Sequence, residues 1–223
     1  MKRPVMVLAI CLALSAAAGC AQTAESNKMD TQIGASALAA LADSIVGSYV
    51  NSMEILAATQ EVQSGDWEAI RPLLAKAADP ENALVWYVLP DGTYFTVDEG
   101  EQSASLSDRP YFPGLLAGNT VIGYPVVSKA TGRKSAVVAV PIVREGEVAG
   151  GLGASIFLDE LSNTLSQALG LPGDMVFYAV SPEGEVVLHS DTEMIMADDP
   201  ALSDNVRWQT SSLTGWRFAL GMK

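Results

Sequence analysis

The stretch that decides the fold runs from Leu106 to Leu158 and opens with Leu106-Ser-Asp-Arg-Pro-Tyr-Phe112. Pro110 suits the first turn of a short helix ending near Ala117, because proline lacks the N–H that a first helical turn leaves unpaired. Three segments rich in β-branched residues follow, with turns at Ala130-Thr-Gly-Arg133 and Glu145-Gly146 between them. This order of helix, strand, turn, strand, turn and strand predicts three strands of an antiparallel sheet.

The region before this stretch supplies two helices and two more strands. Apolar residues recur at steps of three and four from Gln32 to about Gln63, which predicts a long helix with one buried stripe. Asp66 is a good N-cap for a second helix that ends at Ala78. Asp98 to Ser107 is predicted to be a polar loop. The predicted strands are Ala83–Leu89, Thr93–Val97, Thr120–Val127, Ser135–Val143 and Glu147–Leu158.

This whole order of elements resembles the ligand-binding core of Cache domains, the PAS-like sensor modules found outside the membrane of bacteria and archaea. The resemblance covers most of residues 32–170. It implies an α+β fold with a PAS-like five-stranded antiparallel sheet, a long N-terminal helix and flanking helices. After a helix from Leu158 to Gly170, two hairpins predict a small C-terminal β unit over residues 171–223, which is either a reduced second Cache-like unit or an accessory sheet.

The first twenty residues are typical of an export signal. Lys2 and Arg3 precede a short apolar segment, and small residues precede Cys20. The tetrapeptide Ala17-Ala-Gly-Cys20 resembles a lipobox, although Ala17 stands where that motif usually has leucine, and cleavage after Ala18 is the alternative. We therefore expect a lipoprotein signal peptide over residues 1–20, a lipid on Cys20 and a tether over residues 21–31. The expected location is extracytoplasmic, lipid-anchored to the membrane of the cell envelope.

The composition argues against several classes of function. The formal net charge of −13 repels phosphate backbones, so we expect no nucleic-acid partner. His189 is the only histidine, which argues against a histidine-rich metal site and against most Ser-His or Cys-His nucleophile arrangements. The carboxylate pairs Asp98-Glu99 and Asp198-Asp199 lack the spacing of a calcium loop. We expect no metal, no cofactor and no enzymatic activity.

The strongest candidate for a binding site surrounds Arg109. Its guanidinium offers a planar fork for a carboxylate, and Tyr111 and Phe112 supply apolar walls. The alternative is that Arg109 pairs with Asp108 and that Phe112 is plain core. Further candidate pocket residues are Tyr87, Tyr94, Tyr124, Val126, Ser128 and Ser155.

The resemblance refines this prediction of the ligand. In amino-acid-binding Cache domains, an arginine followed by two aromatic residues holds the ligand carboxylate, and Arg109, Tyr111 and Phe112 match that part. Val126 stands where the family has a tyrosine, and Ser155 stands where it has the aspartate that holds the ligand ammonium group. An unpaired buried ammonium group costs several kcal/mol. A small organic carboxylate is therefore the expected ligand in preference to an amino acid.

These observations lead to one expected function and one alternative. The chain shows a sensor fold and no recognisable kinase, cyclase or coiled-coil segment, so we expect a sensor that passes its bound state to a membrane receptor, kinase or transporter. The alternative is a non-catalytic scaffold or envelope-assembly lipoprotein with a degenerate pocket. A polar cavity around Arg109 favours the first, and a pocket filled by its own side chains favours the second.

Overall fold

A long helix, α1 (Ser15–Ala57), leads into the fold. The computed structural model describes residues 15–197 and 206–222, with side chains described from residue 31. The predicted tether of residues 21–31 thus lies within α1, whereas the predicted signal segment up to residue 14 lies outside the described residues. The buried side of α1 follows helical spacing and includes Leu38, Ala42, Val46 and Met53.

The predicted long helix is divided near its C-terminal end. α1 ends at Ala57 and a short helix, α2 (Gln60–Ser64), begins after Thr59, whose hydroxyl accepts a hydrogen bond from the N–H of Val62. Because Thr59 is extended and caps the new helix, the chain changes direction there. The next helix, α3 (Trp67–Ala77), is capped by Asp66 as predicted, with a carboxylate oxygen 3.1 Å from the N–H of Glu68.

An antiparallel sheet of six strands forms the centre of the molecule, with the strand order β3-β2-β1-β6-β5-β4. The five predicted strands are all present, and the sixth lies in the segment that was predicted to be a polar loop. This β3 is an edge strand that pairs only with β2, so it needs few apolar residues. The strands are β1 (Ala83–Val88), β2 (Thr93–Thr96), β3 (Gly100–Ser105), β4 (Val121–Val127), β5 (Lys134–Arg144) and β6 (Glu147–Phe157).

The two faces of this sheet are covered by different elements. Tyr87 and Val85 of β1 face the helical side and join a cluster that includes Ile70 of α3. Trp86 and Val88 alternate to the other face. That face is covered by a short helix, α4 (Phe112–Leu116), and by the segment that leads into it. The candidate site lies on this second face.

A second, smaller antiparallel sheet follows a helix, α5 (Leu158–Ala168), and has the strand order β8-β7-β10-β9. Its core residues, such as Phe177, Trp216 and Phe218, belong to one apolar cluster with residues of α1, β5 and α5. The strands are β7 (Met175–Val180), β8 (Val186–His189), β9 (Gln209–Thr210) and β10 (Arg217–Met222). Both predicted hairpins are therefore confirmed, and β9 has only two residues.

Within the described residues, one helical segment, Thr31–Ala57 of α1, is long and apolar enough to cross a membrane by length and composition. Its buried residues pack against both sheets of this structure.

Candidate functional site

A small cavity lies between the sheet, the segment that enters α4 and the turn between β4 and β5. Its volume is about 20 Å³, which is room for about one water molecule. Six of the nine predicted ligand-binding residues line it: Tyr94, Arg109, Tyr111, Val126, Ser128 and Ser155. The structure therefore brings together residues that are up to 61 positions apart between Tyr94 and Ser155.

Arg109 lies in the turn that enters α4 and is half-buried. Its Nη2 donates a hydrogen bond of 2.6 Å to the carbonyl oxygen of Val127, at the end of β4. The ion pairs of the described residues are formed by Lys129 and Arg133, not by Arg109. Asp108, the neighbour of Arg109 in the chain, pairs with Lys129. One of the five N–H donors of the guanidinium is thus used at the carbonyl oxygen of Val127, and none forms an ion pair with Asp108.

Lys129 closes the rim of the cavity. Its Nζ lies 2.5 Å from Oδ1 of Asp108 and donates a hydrogen bond of 2.7 Å to the carbonyl oxygen of Ser105. The hydrogen bond from Lys129 lowers the pKa of the Asp108 carboxyl. The Lys129 side chain is a quarter exposed whereas that of Asp108 is 68% exposed, so the ion pair is at the surface and weak.

Two tyrosines, Tyr94 and Tyr111, line the cavity. Burial raises the pKa of Tyr94 and that of Tyr111, while the positive charge of Arg109 acts in the opposite direction on both. Both side chains are therefore neutral donors at physiological pH. The hydroxyl of Tyr94 is buried and has no hydrogen-bond partner among the described residues, which leaves it free to donate to a bound anion.

Six residues that line the cavity were not predicted from the sequence, and Trp86 is the largest of them; the other five are Leu84, Leu106, Lys129, Ala130 and Val137. Nε1 of Trp86 donates a buried hydrogen bond of 3.0 Å to Oγ of Ser155. Its ring lies against Gly153, where a Cβ atom would overlap the ring. Alternation along β1 could place either Trp86 or Tyr87 in the pocket, because residues on both faces of this strand are apolar or aromatic.

Three predicted residues lie elsewhere. Tyr87 faces the helical side, where its ring lies 6.5 Å from that of Trp67. Phe112 is buried in the apolar cluster beneath α4, which agrees with the alternative that it is plain core. The ring of Tyr124 packs against that of Tyr111, with 5.6 Å between the two ring centroids. Tyr124 thus contacts a residue of the cavity but does not line the cavity itself.

A larger groove, of about 390 Å³, lies on the helical side between α1, α5 and the connection from α3 to β1. Two of the hydroxyls that line it are used within α1, since Ser48 donates to the carbonyl oxygen of Ile45 and Ser52 to that of Ser48. No buried unpaired polar atom of the described residues lines the groove. The larger volume of this groove therefore does not by itself make it a better candidate binding site than the cavity beside Arg109.

The other predicted positions are consistent with structural roles. His189 is buried on β8, its ring stacks 6.1 Å from that of Tyr178, and its Nδ1 accepts a hydrogen bond of 2.9 Å from the N–H of Asp191. Within residues 31–197 and 206–222, no group of three or more histidine, cysteine, aspartate or glutamate side chains could hold a metal ion. Asp198-Asp199 and the side chain of Cys20 lie outside the described residues.

Comparison with solved structures establishes the fold. The ligand-binding domain of the Pseudomonas fluorescens chemoreceptor CtaA, in complex with L-isoleucine, matches with a TM-score of 0.70 at 17% identity over 94% of this chain and 96% of that one. The ligand-binding domain of the Pseudomonas aeruginosa amino acid chemoreceptor PctC, in complex with GABA, matches with a TM-score of 0.63 at 17% identity over 85% of this chain and 95% of that one. The fold is that of Cache-type chemoreceptor ligand-binding domains. The Cache-like α+β architecture predicted from the sequence is thus confirmed.

The comparison by sequence covers a smaller part of the chain than the comparison by structure. The chain is 26% identical over 116 residues to the methyl-accepting chemotaxis protein PscA of Pseudomonas syringae pv. tomato. That match covers 51% of this chain and 18% of the relative, so the Cache-like chain spans less than a fifth of the longer receptor. No family model matches the sequence.

Proposed function

We propose that this protein is a non-catalytic extracytoplasmic sensor that binds a small organic carboxylate at Arg109. The observation that carries this proposal is the combination of a half-buried guanidinium and the buried, unpartnered hydroxyl of Tyr94 in one cavity. A carboxylate can accept hydrogen bonds from both groups, and such charge-assisted bonds are the strong ones. The Cache-like fold shared with chemoreceptor ligand-binding domains supports a sensory role.

The ligand class follows from the charges that line the cavity. The structures of similar fold hold L-isoleucine and GABA, which both carry an ammonium group. The described residues that line this cavity include Arg109 and Lys129 but no carboxylate. An ammonium group buried there would have no charge partner, and the hydroxyl of Ser155 already accepts the hydrogen bond from Trp86. This favours a carboxylate without an ammonium group.

A thermal-shift screen tests the proposal. Wild-type protein is compared with Arg109→Ala against amino acids, short carboxylates, purines and amines, because a ligand that prefers the native state raises the unfolding midpoint. Arg71→Ala is the matched control, since Arg71 also donates to a backbone carbonyl, that of Val97, but lies outside the cavity. We expect a carboxylate to raise the midpoint of wild type and of Arg71→Ala, but not of Arg109→Ala. A rise that persists in Arg109→Ala would contradict the proposed site.

We also propose that the protein is lipid-anchored through Cys20 and signals through a membrane receptor, kinase or transporter. The support is the lipobox-like sequence before Cys20 and the contacts of α1 with both sheets, which give a bound ligand a route to the N-terminal helix. Metabolic labelling with an alkyne-tagged fatty acid should label wild type and fail to label Cys20→Ser. Labelling of both would contradict the anchor.

A second function, a non-catalytic scaffold or envelope-assembly lipoprotein, is favoured by one specific observation. The cavity is only about 20 Å³, because Trp86 and its neighbours fill most of the space between the sheet and α4. A folded wild-type protein whose midpoint no compound in the panel raises would favour the scaffold over the sensor.

A further inference from the structure

The indole of Trp86 lines the same pocket as Arg109 and covers Ser155. Trp86 is 2% exposed and extends from β1 across Gly153 of β6. The Arg109 contact is at Val127 of β4, and β6 and β5 lie between β1 and β4. Trp86 therefore reaches the pocket from β1 and contacts β6, whereas Arg109 is held at the end of β4. The part of the pocket beside Arg109 is the cationic end, and the part at Ser155, which the indole of Trp86 covers, is the closed end.

The polar groups at the closed end are already paired. The indole N–H of Trp86 donates to Oγ of Ser155, so neither group needs a ligand. At the cationic end, Arg109 and the hydroxyl of Tyr94 still have hydrogen-bonding capacity. A ligand therefore finds partners for its anionic end only, and its remainder meets the face or edge of an indole.

We propose that Trp86 is the specificity-determining residue of this site: it limits the ligand to a short carboxylate and excludes chains that extend toward Ser155. This inference rests on the proposed function and adds the residue that sets ligand length. The cavity of about 20 Å³ must widen even for a short acid. The exposed ion pair between Lys129 and Asp108 is the weakest contact at the rim, so widening begins there while Trp86 stays in place.

Titration calorimetry with acids of increasing length tests this role. Acetate, propionate, butyrate and hexanoate are titrated into wild type, Trp86→Leu and Trp86→Phe. The control is Tyr87→Phe, the neighbouring residue on the opposite face of β1. In wild type we expect affinity to fall with chain length. In Trp86→Leu we expect the affinity for hexanoate relative to acetate to rise at least about tenfold, with a smaller rise in Trp86→Phe and none in Tyr87→Phe.

A second variant tests the charge at the closed end. Trp86→Leu combined with Ser155→Asp supplies both space and a carboxylate for an ammonium group. We expect it to bind 6-aminohexanoate at least about tenfold more tightly than Trp86→Leu does, because the ammonium group gains a buried charge partner. Equal affinities of the two variants would place the far end of the ligand away from Ser155 and would overturn the inference.

The outcomes separate this inference from the proposed function. If wild type binds short acids and Trp86→Leu keeps the same length profile, the inference is overturned and the sensor function stands. If wild type binds no acid but Trp86→Leu binds hexanoate, Trp86 closes the pocket as inferred, whereas the proposed function of the wild-type protein as a carboxylate sensor fails. If no variant binds any acid while all remain folded, both are overturned.

Discussion

Tyr87 and Tyr94 are close in sequence but lie on opposite faces of the sheet. Comparing them shows which of two buried hydroxyls has a functional role. The hydroxyls of Tyr87 and Tyr94 are both buried without a hydrogen-bond partner among the described residues. An unpaired buried hydroxyl costs about 1–3 kcal/mol. Tyr87 faces the helices, where no ligand is expected, and Tyr94 faces the cavity. Only the second has a functional reason to remain unpaired.

This difference gives a prediction for the two phenylalanine variants. Tyr87→Phe and Tyr94→Phe should each raise the free energy of unfolding of the ligand-free protein by about 1 kcal/mol, because each removes an unpaired polar group. Only Tyr94→Phe should weaken carboxylate binding, by about tenfold. Urea unfolding and calorimetry measure the two quantities. Equal ligand affinity in both variants would remove Tyr94 from the site.

His189 gives a prediction about pH. Burial lowers the pKa of its imidazole from the ordinary value of 6.5, although Asp191 acts in the opposite direction. The unfolded chain then binds a proton below about pH 6.5 that the folded chain resists, so stability falls as pH drops through this range. His189 is the only histidine of the chain. The free energy of unfolding should therefore decrease from pH 7 to 5.5 in wild type and stay flatter in His189→Asn, whose amide can accept the same backbone hydrogen bond. An equal decrease in the free energy of unfolding of wild type and His189→Asn would mean that titratable groups other than His189 cause the pH dependence.

At the scale of elements, α1 is tied to the second sheet by Asp43. Its carboxylate accepts hydrogen bonds from Oγ of Ser211, and from the N–H and hydroxyl of Ser212 at 3.2 Å each. Ser211 is 3% exposed, so its bond to Asp43 is shielded from water, whereas Ser212 is exposed. A polar residue that interrupts the apolar stripe of α1 in the sequence therefore has a definite partner in the loop between β9 and β10.

The corresponding prediction concerns stability. Asp43→Ala should lower the free energy of unfolding by about 1–3 kcal/mol, because it leaves the buried Ser211 hydroxyl and the N–H of Ser212 without their acceptor. Asp43→Asn retains an acceptor oxygen and should lower it less. Urea unfolding at constant pH measures both. An unchanged stability of Asp43→Ala would mean that the loop is held by its apolar contacts alone.

The elements also show which parts of the fold could be predicted from sequence. Spacing of apolar residues and the Asp66 cap located α1 and α3, and turn residues located the hairpins. β3 was missed because an edge strand buries too little to need an apolar pattern. Trp86 was missed because β1 is apolar on both faces, so only the packing of Gly153 beneath the ring reveals which side chain enters the pocket. Arg109 and Tyr111 were found because a cation and an aromatic residue stand close together in the chain, whereas Val126 and Ser155 were found through the resemblance to amino-acid-binding Cache domains.

At the scale of the whole molecule, the two sheets share one core. Residues of α1, β5, α5, β7 and β10 form a single apolar cluster, and Nε1 of Trp216 in the second sheet unit donates to the carbonyl oxygen of Gly123 in the first. Lys134 of β5 also donates to the carbonyl oxygen of Ile195. The predicted division between residues 32–170 and 171–223 thus follows the sheets but does not divide the core.

This shared core predicts cooperative unfolding. Urea denaturation followed by tryptophan fluorescence and by far-ultraviolet circular dichroism should give one coincident transition, because neither sheet can lose its contacts with α1 alone. Trp216→Phe, which loses the contact with Gly123, should shift that transition to lower urea without splitting it. Two separated transitions would show that the sheets fold as independent domains.

The central claim is that the cavity beside Arg109 binds a carboxylate, and a crystal structure of the protein grown with propionate tests it most directly. The account predicts the carboxylate within hydrogen-bond distance of the Arg109 guanidinium and the Tyr94 hydroxyl, with Trp86 still bonded to Ser155 and the rim contact of Lys129 opened. An unchanged cavity of about 20 Å³ with propionate absent at saturating concentration, or bound only in the groove beside α1, would contradict it.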